Sequence, residues 1–235
     1  MERFGVWCVL ACAVSLVACS GAPEPVDQGQ LELATPQVQG AAHLFAEAER
    51  LIERGDREGA ERACLLVRDA ARKEAASKEE AFEAGVRDAF CAAEIARLEW
   101  EALALDAADA SEMRGAIQNK IKGMQSVVRG YQEIYAMKEI EWTLAAGTRV
   151  GDVYVHFAQS IEAAPAPAEL DPESASVYRA QLEEVAAPLY QQAAVQYAGV
   201  VAKADELGLE GRYVARAREM SAAYPRAGAA LEEDP

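Results

Sequence analysis

From residue 41 to residue 224 the chain is dense in Ala, Glu, Leu, Arg and Gln, and its apolar residues recur in steps of three and four. That spacing lays one apolar stripe along a helix, and those residue types are strong helix formers. No stretch alternates apolar and polar residues between turn signals, as a half-buried strand would. The chain is therefore expected to be all-α, with its core built from helix faces alone.

Boundaries follow from capping chemistry. Gly55-Asp56 separates AAHLFAEAERLIER from REGAERACLLVRDAARKEAA, with Asp56 as the cap of the second helix. Ser77-Lys78-Glu79-Glu80 has capping-box spacing and opens a helix expected to reach about Leu105. Asp106 to Ser111 reads as a break, with Asp109 or Ser111 as the next cap. Met113, Ile117, Ile121, Met124, Val128, Tyr131 and Tyr135 then draw one stripe, and Trp142, Ala146, Val150, Val153, Phe157 and Ile161 another. Asp171-Pro172-Glu173 combines a cap, a first-turn proline and an acid near the positive end of the helix dipole. The helix it starts is expected to run to about Leu207, with a kink or break at Pro188. A last helix ends near Tyr224-Pro225. The organisation is thus helical regions over 41–164 and 172–224, a Pro-rich linker at 165–171 and an acidic tail at 225–235. Gly147 and Gly151, four apart, leave a flat strip on which another helix can approach closely.

Leu44, Ala48, Leu51, Gly55, Ala60, Cys64 and Val67 fall in the order of the tetratricopeptide repeat, and "IERGDREGAERA" resembles its turn and second-helix start. "RVGDVY" is a second partial match, while the proline expected after the first pair is replaced by Arg72-Lys73. The block from WTLAAGTRVGDVYVHFAQSI through PAPAEL to the Pro188 helix also resembles a segment in repeat proteins of myxobacterial gliding and envelope complexes. The resemblance covers about half of the chain after residue 18 and implies a degenerate TPR-like solenoid of antiparallel helix pairs, with long helices. It further implies protein–protein interaction, by analogy of fold.

The first eighteen residues form a different unit. FGVWCVLACAVSLVA is shorter than the roughly twenty residues that span a bilayer and suits the apolar core of an export signal. Leu16-Val17-Ala18-Cys19 resembles the bacterial lipobox, which implies cleavage before Cys19 and a diacylglycerol thioether on its sulfur. The leading Met1-Glu2-Arg3 departs from the pattern, because its single base is cancelled by an acid. Ser20 rather than Asp after the cysteine implies sorting to the outer membrane, with the domain on the periplasmic side. Several acyl chains would hold the protein firmly, since each buried CH₂ contributes about 0.8 kcal/mol. Residues 19–40 carry too little apolar surface to offset their ordering entropy and are expected to form a disordered tether.

Of five cysteines, only Cys64 and Cys91 then remain. They could bridge in an oxidising envelope or persist as buried thiols; their apolar helical settings favour thiols slightly. The net charge of −16 repels nucleic acid and anionic lipid surfaces and favours basic partners, if charge steers them at all. All eight tyrosines lie at or after Tyr131. Tyr131 with Tyr135 and Tyr190 with Tyr197 are candidates for a partner interface, against the plainer role of bulky knobs between helices.

Signals for chemistry are sparse. His43 and His156 have no Ser, Cys or carboxylate at triad or metal spacing, and no Gly-rich loop follows a strand. Glu79-Glu80, Glu183-Glu184 and Glu232-Glu233 are adjacent acids that point different ways on a helix. No catalytic residue, metal or cofactor is expected. The leading expectation is a non-enzymatic outer-membrane lipoprotein that binds protein partners of the cell envelope. One alternative is a periplasmic pilot or assembly chaperone. Another is an envelope enzyme or a binder of glycan or small ligands, which would need a cleft where His156 meets buried carboxylates.

Overall fold

Side-chain caps set three of the helix starts. Asp56 Oδ1 accepts the Gly59 N–H at 2.9 Å. Ser77 Oγ accepts the Glu80 N–H at 3.1 Å while Glu80 Oε2 accepts the Ser77 N–H at 3.0 Å, a reciprocal capping box. Asp171 Oδ1 accepts from both Glu173 and Ser174 N–H at 3.0 Å, with Pro172 in the first turn, where no N–H is needed. Two turns use glycine in the left-handed region, Gly55 at φ +70° and Gly208 at φ +63°.

The computed structural model describes residues 40–74, 77–106, 110–167 and 170–225. Among these residues it has no strand and seven helices, α1 (Ala41–Glu53), α2 (Arg57–Glu74), α3 (Lys78–Glu101), α4 (Ala110–Ala136), α5 (Ile140–Glu162), α6 (Pro172–Leu207) and α7 (Arg212–Ala223). None of them is long and apolar enough to cross a membrane. The lipobox residues Leu16, Val17, Ala18 and Cys19, the tether up to residue 39, Asp109 and the tail from 226 lie outside the described residues.

Helix α3 ends four residues before the expected Leu105. At that point the Lys120 ammonium, reaching over from α4, donates to the Leu103 carbonyl and, at 3.4 Å, to that of Glu101. A cation on the last carbonyls satisfies groups that a helix end leaves open. The turn between α4 and α5 is made by Lys138 at φ +61°. That position carries none of the Gly or Asn chemistry that would mark it in sequence. Of the kink or break expected at Pro188, the break is absent: α6 is one continuous helix through it. The carbonyl four residues back, left without its helical donor by the proline, belongs to Glu184 on the exposed side of the helix.

Each helix packs on its neighbours in the chain, and α1 with α3, α3 with α5 and α5 with α7 also touch. Odd-numbered helices therefore share a layer, whereas even-numbered ones meet only their chain neighbours. The two helical regions flanking the 165–171 segment are not separate bodies, because α5 and α6 pack along one another. Gly147 and Gly151 supply the flat strip for this. A Cβ at Gly151 would lie 2.5 Å from Tyr197 Cε1, and one at Gly147 would lie 2.7 Å from Val200 Cγ2.

The main core gathers Phe45, Phe90, Tyr131, Trp142 and Val153. Phe90 is its hub, with ring centroids 5.2 Å from Trp142, 5.5 Å from Tyr213 and 6.0 Å from Tyr131. A second cluster joins Leu144, Val155, Tyr197, Val200 and Val214 from α5, α6 and α7. Helix α5 lies between the two clusters, and every residue from Leu144 to Val153 is buried. A helix covered on all sides should be apolar throughout. This one is not, and its exceptions form the site.

Candidate functional site

Arg149 and Asp152 stand one turn apart in the buried middle of α5, each less than a tenth exposed. On the facing helix α3, Glu94 is fully buried and Arg97, three residues on, is nearly so. A charge so deep is tolerated only when paired and hydrogen-bonded, and these four pair with one another. Arg97 Nη2 donates to Glu94 Oε2 at 3.0 Å and Nη1 to Glu101 Oε1 at 2.6 Å. Arg149 Nη1 donates to Asp152 Oδ2 at 3.1 Å. Arg149 Nε lies 2.9 Å from Glu94 Oε1 as a charge contact, its N–H not aligned for a hydrogen bond.

Three more elements close the network. From α4 the Tyr131 hydroxyl donates to Glu94 Oε1 at 2.5 Å, and from α6 the Tyr197 hydroxyl donates to Asp152 Oδ1 at 2.8 Å. From α7 the Arg216 Nε donates to both Asp152 oxygens at 3.0 Å, and the Arg149 guanidinium sits 5.2 Å over the Tyr213 ring. Five helices are thereby tied through two carboxylates. Burial opposes ionisation of Glu94, but Arg149, Arg97 and the Tyr131 hydroxyl outweigh it and hold the carboxyl below its usual range. Burial likewise opposes charge on Arg97 and Arg149, and Glu94 overcomes it for both. Tyr197 is pushed up, first by burial and then by the Asp152 carboxylate, so it stays a donor.

At its open end the network borders a cleft of about 240 Å³, where α3, α5 and α7 meet. Arg97, Glu101, Arg149, Asp152, His156 and Arg216 line it, with Val155 and Met220 as an apolar wall. His156 packs edge-on against Trp100 at 5.1 Å, and its Nε2 lies 3.5 Å from Lys120 Nζ. Burial lowers the His156 pKa, with Lys120 and Arg97 adding to the effect and Glu101 opposing it, so the ring is neutral near pH 7. Lys120 is lowered by burial too, with Glu101 opposing.

Both buried carboxylates are engaged by arginines and tyrosines, the reverse of the proton-hungry setting of a general base. His156 has a lysine rather than a carboxylate at its Nε2, and no Ser, Cys or Thr lines the cleft as a nucleophile. Among the described residues no cluster of His, Cys, Asp and Glu could hold a metal ion. What the cleft offers is guanidinium donors beside a small apolar wall.

The residues singled out in the sequence are scattered by the fold. Tyr131 and Tyr197 are fully buried and bond to the network, so they are internal knobs and not a partner surface. Tyr135 is half-buried, and burial pushes it up to about 12. Tyr190 stacks on Tyr224 at 5.2 Å and donates to Glu162 at 2.7 Å. His43 is exposed. Cys64 and Cys91 are joined as a disulfide between α2 and α3, with Cα atoms 5.8 Å apart, so the slight preference for free thiols is corrected. Two cysteines on consecutive antiparallel helices meet when the helices align, a relation that spacing alone does not disclose. The network residues Glu94, Arg97, Arg149, Asp152 and Arg216 went unread. The available signal was Arg149 and Asp152, the only charges between Glu141 and Glu162. No family model, curated protein or solved structure gives a match to this chain.

Proposed function

We propose that the chain is a non-enzymatic lipoprotein, anchored through Cys19 to the outer membrane on its periplasmic side, whose TPR-like helical domain binds a protein of the cell envelope. The observation that carries the binding role is the outer face of α6. Val177, Val185 and Val195 are 55%, 59% and 51% exposed, and with Pro188 they fall in steps of eight, three and seven. Those steps bring all four to one side of the helix, opposite Ala186, Ala193, Tyr197 and Ala204, which face the core. Exposed Gln181, Glu184 and Gln192 share this side, so the valines and Pro188 sit within a mixed apolar and polar surface of the kind that protein partners bind. The layering of odd-numbered helices, each touching the next odd one, supports the repeat reading, since stacked pairs bury their faces against neighbours. The Cys64–Cys91 disulfide supports an oxidising compartment.

A photo-crosslinking side chain at Val185 in intact cells tests this reading, with Glu58 on α2 as the control position. One discrete adduct is expected from Val185, and none from Glu58. Equal or absent adducts at both positions would reject the α6 face as a partner surface.

A further inference from the structure

We propose that the cleft between α3, α5 and α7 binds a small carboxylate with a short aliphatic body. The site goes beyond the protein-binding role and does not depend on the lipid anchor. Three observations converge on an anion. First, the residues that line the cleft include three guanidinium cations, Arg97, Arg149 and Arg216, against two carboxylates, Glu101 and Asp152. With His156 neutral, this leaves one net positive charge in a chain of −16.

Second, donors outnumber acceptors. A guanidinium carries five N–H groups. Arg97 uses Nη1 and Nη2, Arg149 uses Nη1, and Arg216 uses Nε and Nη2, while Arg149 Nε lies against Glu94 without a hydrogen bond. Arg97 Nε is buried and finds no acceptor among the described residues. The carboxylates, by contrast, are already taken by arginines and tyrosines, so a cationic ligand would have to displace internal partners. An incoming carboxylate would instead meet open N–H groups in the planar fork geometry that suits it.

Third, shape limits the ligand. The space of about 240 Å³ falls below the ~300–1,000 Å³ of drug-sized pockets. Val155 and Met220 provide the apolar side. Access is open, because the Arg216 side chain is 43% exposed at the rim. A singly charged carboxylate matches the one surplus charge, whereas a phosphate dianion over-neutralises it and meets an apolar wall.

The test uses the full-length chain purified in detergent and titrated at constant ionic strength with sodium butyrate, potassium phosphate or n-butylammonium chloride. Thermal unfolding and the fluorescence of the tryptophans, Trp100 packing on His156 at the cleft, provide the readouts. Butyrate should raise the Tm saturably and at least tenfold more potently than phosphate, with no effect of butylammonium. Arg216→Gln and Met220→Glu, both at the accessible rim, should each weaken butyrate binding at least tenfold with unchanged far-UV circular dichroism. A butyrate effect equal to that of sodium chloride, or phosphate binding more tightly than butyrate, would overturn the proposal from the parent protein alone. Folded variants that bind butyrate like the parent would overturn its location.

Discussion

Replacing Glu94 with Gln probes the buried network at its centre. The substitution keeps the side chain's shape but removes the charge facing Arg97 Nη2 at 3.0 Å and Arg149 Nε at 2.9 Å. One of the two carboxylate oxygens becomes an amide that points its own donors at guanidinium donors. Both arginines are less than a tenth exposed, so water cannot take over the lost role. Breaking a buried pair by removing one partner costs about 3–5 kcal/mol, against a total stability of roughly 5–15 kcal/mol. The folded-to-unfolded ratio should therefore fall on the order of 10²–10⁴-fold, and the Tm by about 6–20 °C for a unit of this size. Urea unfolding followed by circular dichroism at pH 7 measures the difference. Glu58→Gln is the control, since its pair with Arg62 is 3.7 Å long and mostly exposed and should change stability by less than about 0.5 kcal/mol. Acid supplies an independent arm. Because the folded Glu94 pKa lies below its ordinary value of about 4.3, the unfolded chain binds more protons as the pH drops through that range. The stabilisation from Glu94 is thus fully present above that value and lost as pH falls through the lower folded pKa. The gap between parent and variant should narrow in acid. A cost below about 1 kcal/mol at pH 7, or a gap that widens below pH 4, would refute the reasoning.

Removing the Cys64–Cys91 bridge by a double Ala substitution should cost roughly 3.5 kcal/mol by the loop-entropy relation for its separation of 27 residues; denaturant midpoints of the oxidised parent and the variant measure it. Gly151→Ala drives a Cβ to 2.5 Å from Tyr197 Cε1 and should destabilise by about 1–3 kcal/mol. Gly199→Ala, with nothing within 4 Å, should instead gain up to ~1 kcal/mol of helix propensity; equal effects in the same melt would show that α5 and α6 do not meet closely. Pro188→Ala restores a hydrogen bond inside α6 and should stabilise by about 1–3 kcal/mol, read by urea unfolding, with a loss contradicting an unbroken helix.

Local chemistry was the legible part of this fold. Asp56, Ser77 and Asp171 cap the helices that their positions foretold, because capping needs only residues within one turn. Ala48, Ala60 and Val67, read from the repeat-like pattern, are all fully buried. Gly147 and Gly151 announced a close helix approach, since little else justifies glycine in mid-helix. The buried network was harder, because Glu94 and Arg97 at a three-residue step look like any solvated helix face. Only tertiary packing of α3 on α5 decides that they are interior. Arg149 and Asp152 could have been noticed as two opposite charges one turn apart in an otherwise apolar helix. The contribution of Arg216 from α7, sixty-four residues beyond Asp152, left no sequence trace. Nor did the early end of α3, which depends on Lys120 reaching over from another helix.

The proposed role rests on attachment at Cys19, and metabolic labelling with an alkyne palmitate analogue, followed by mass spectrometry of the mature amino terminus, tests it most directly. The expected product begins at Cys19, carries the label there and sediments with the outer membrane, whereas Cys19→Ala is unlabelled and released. A labelled parent lacking residues 1–18 would support the anchor; an unlabelled chain that still carries Met1 to Ala18 would contradict it.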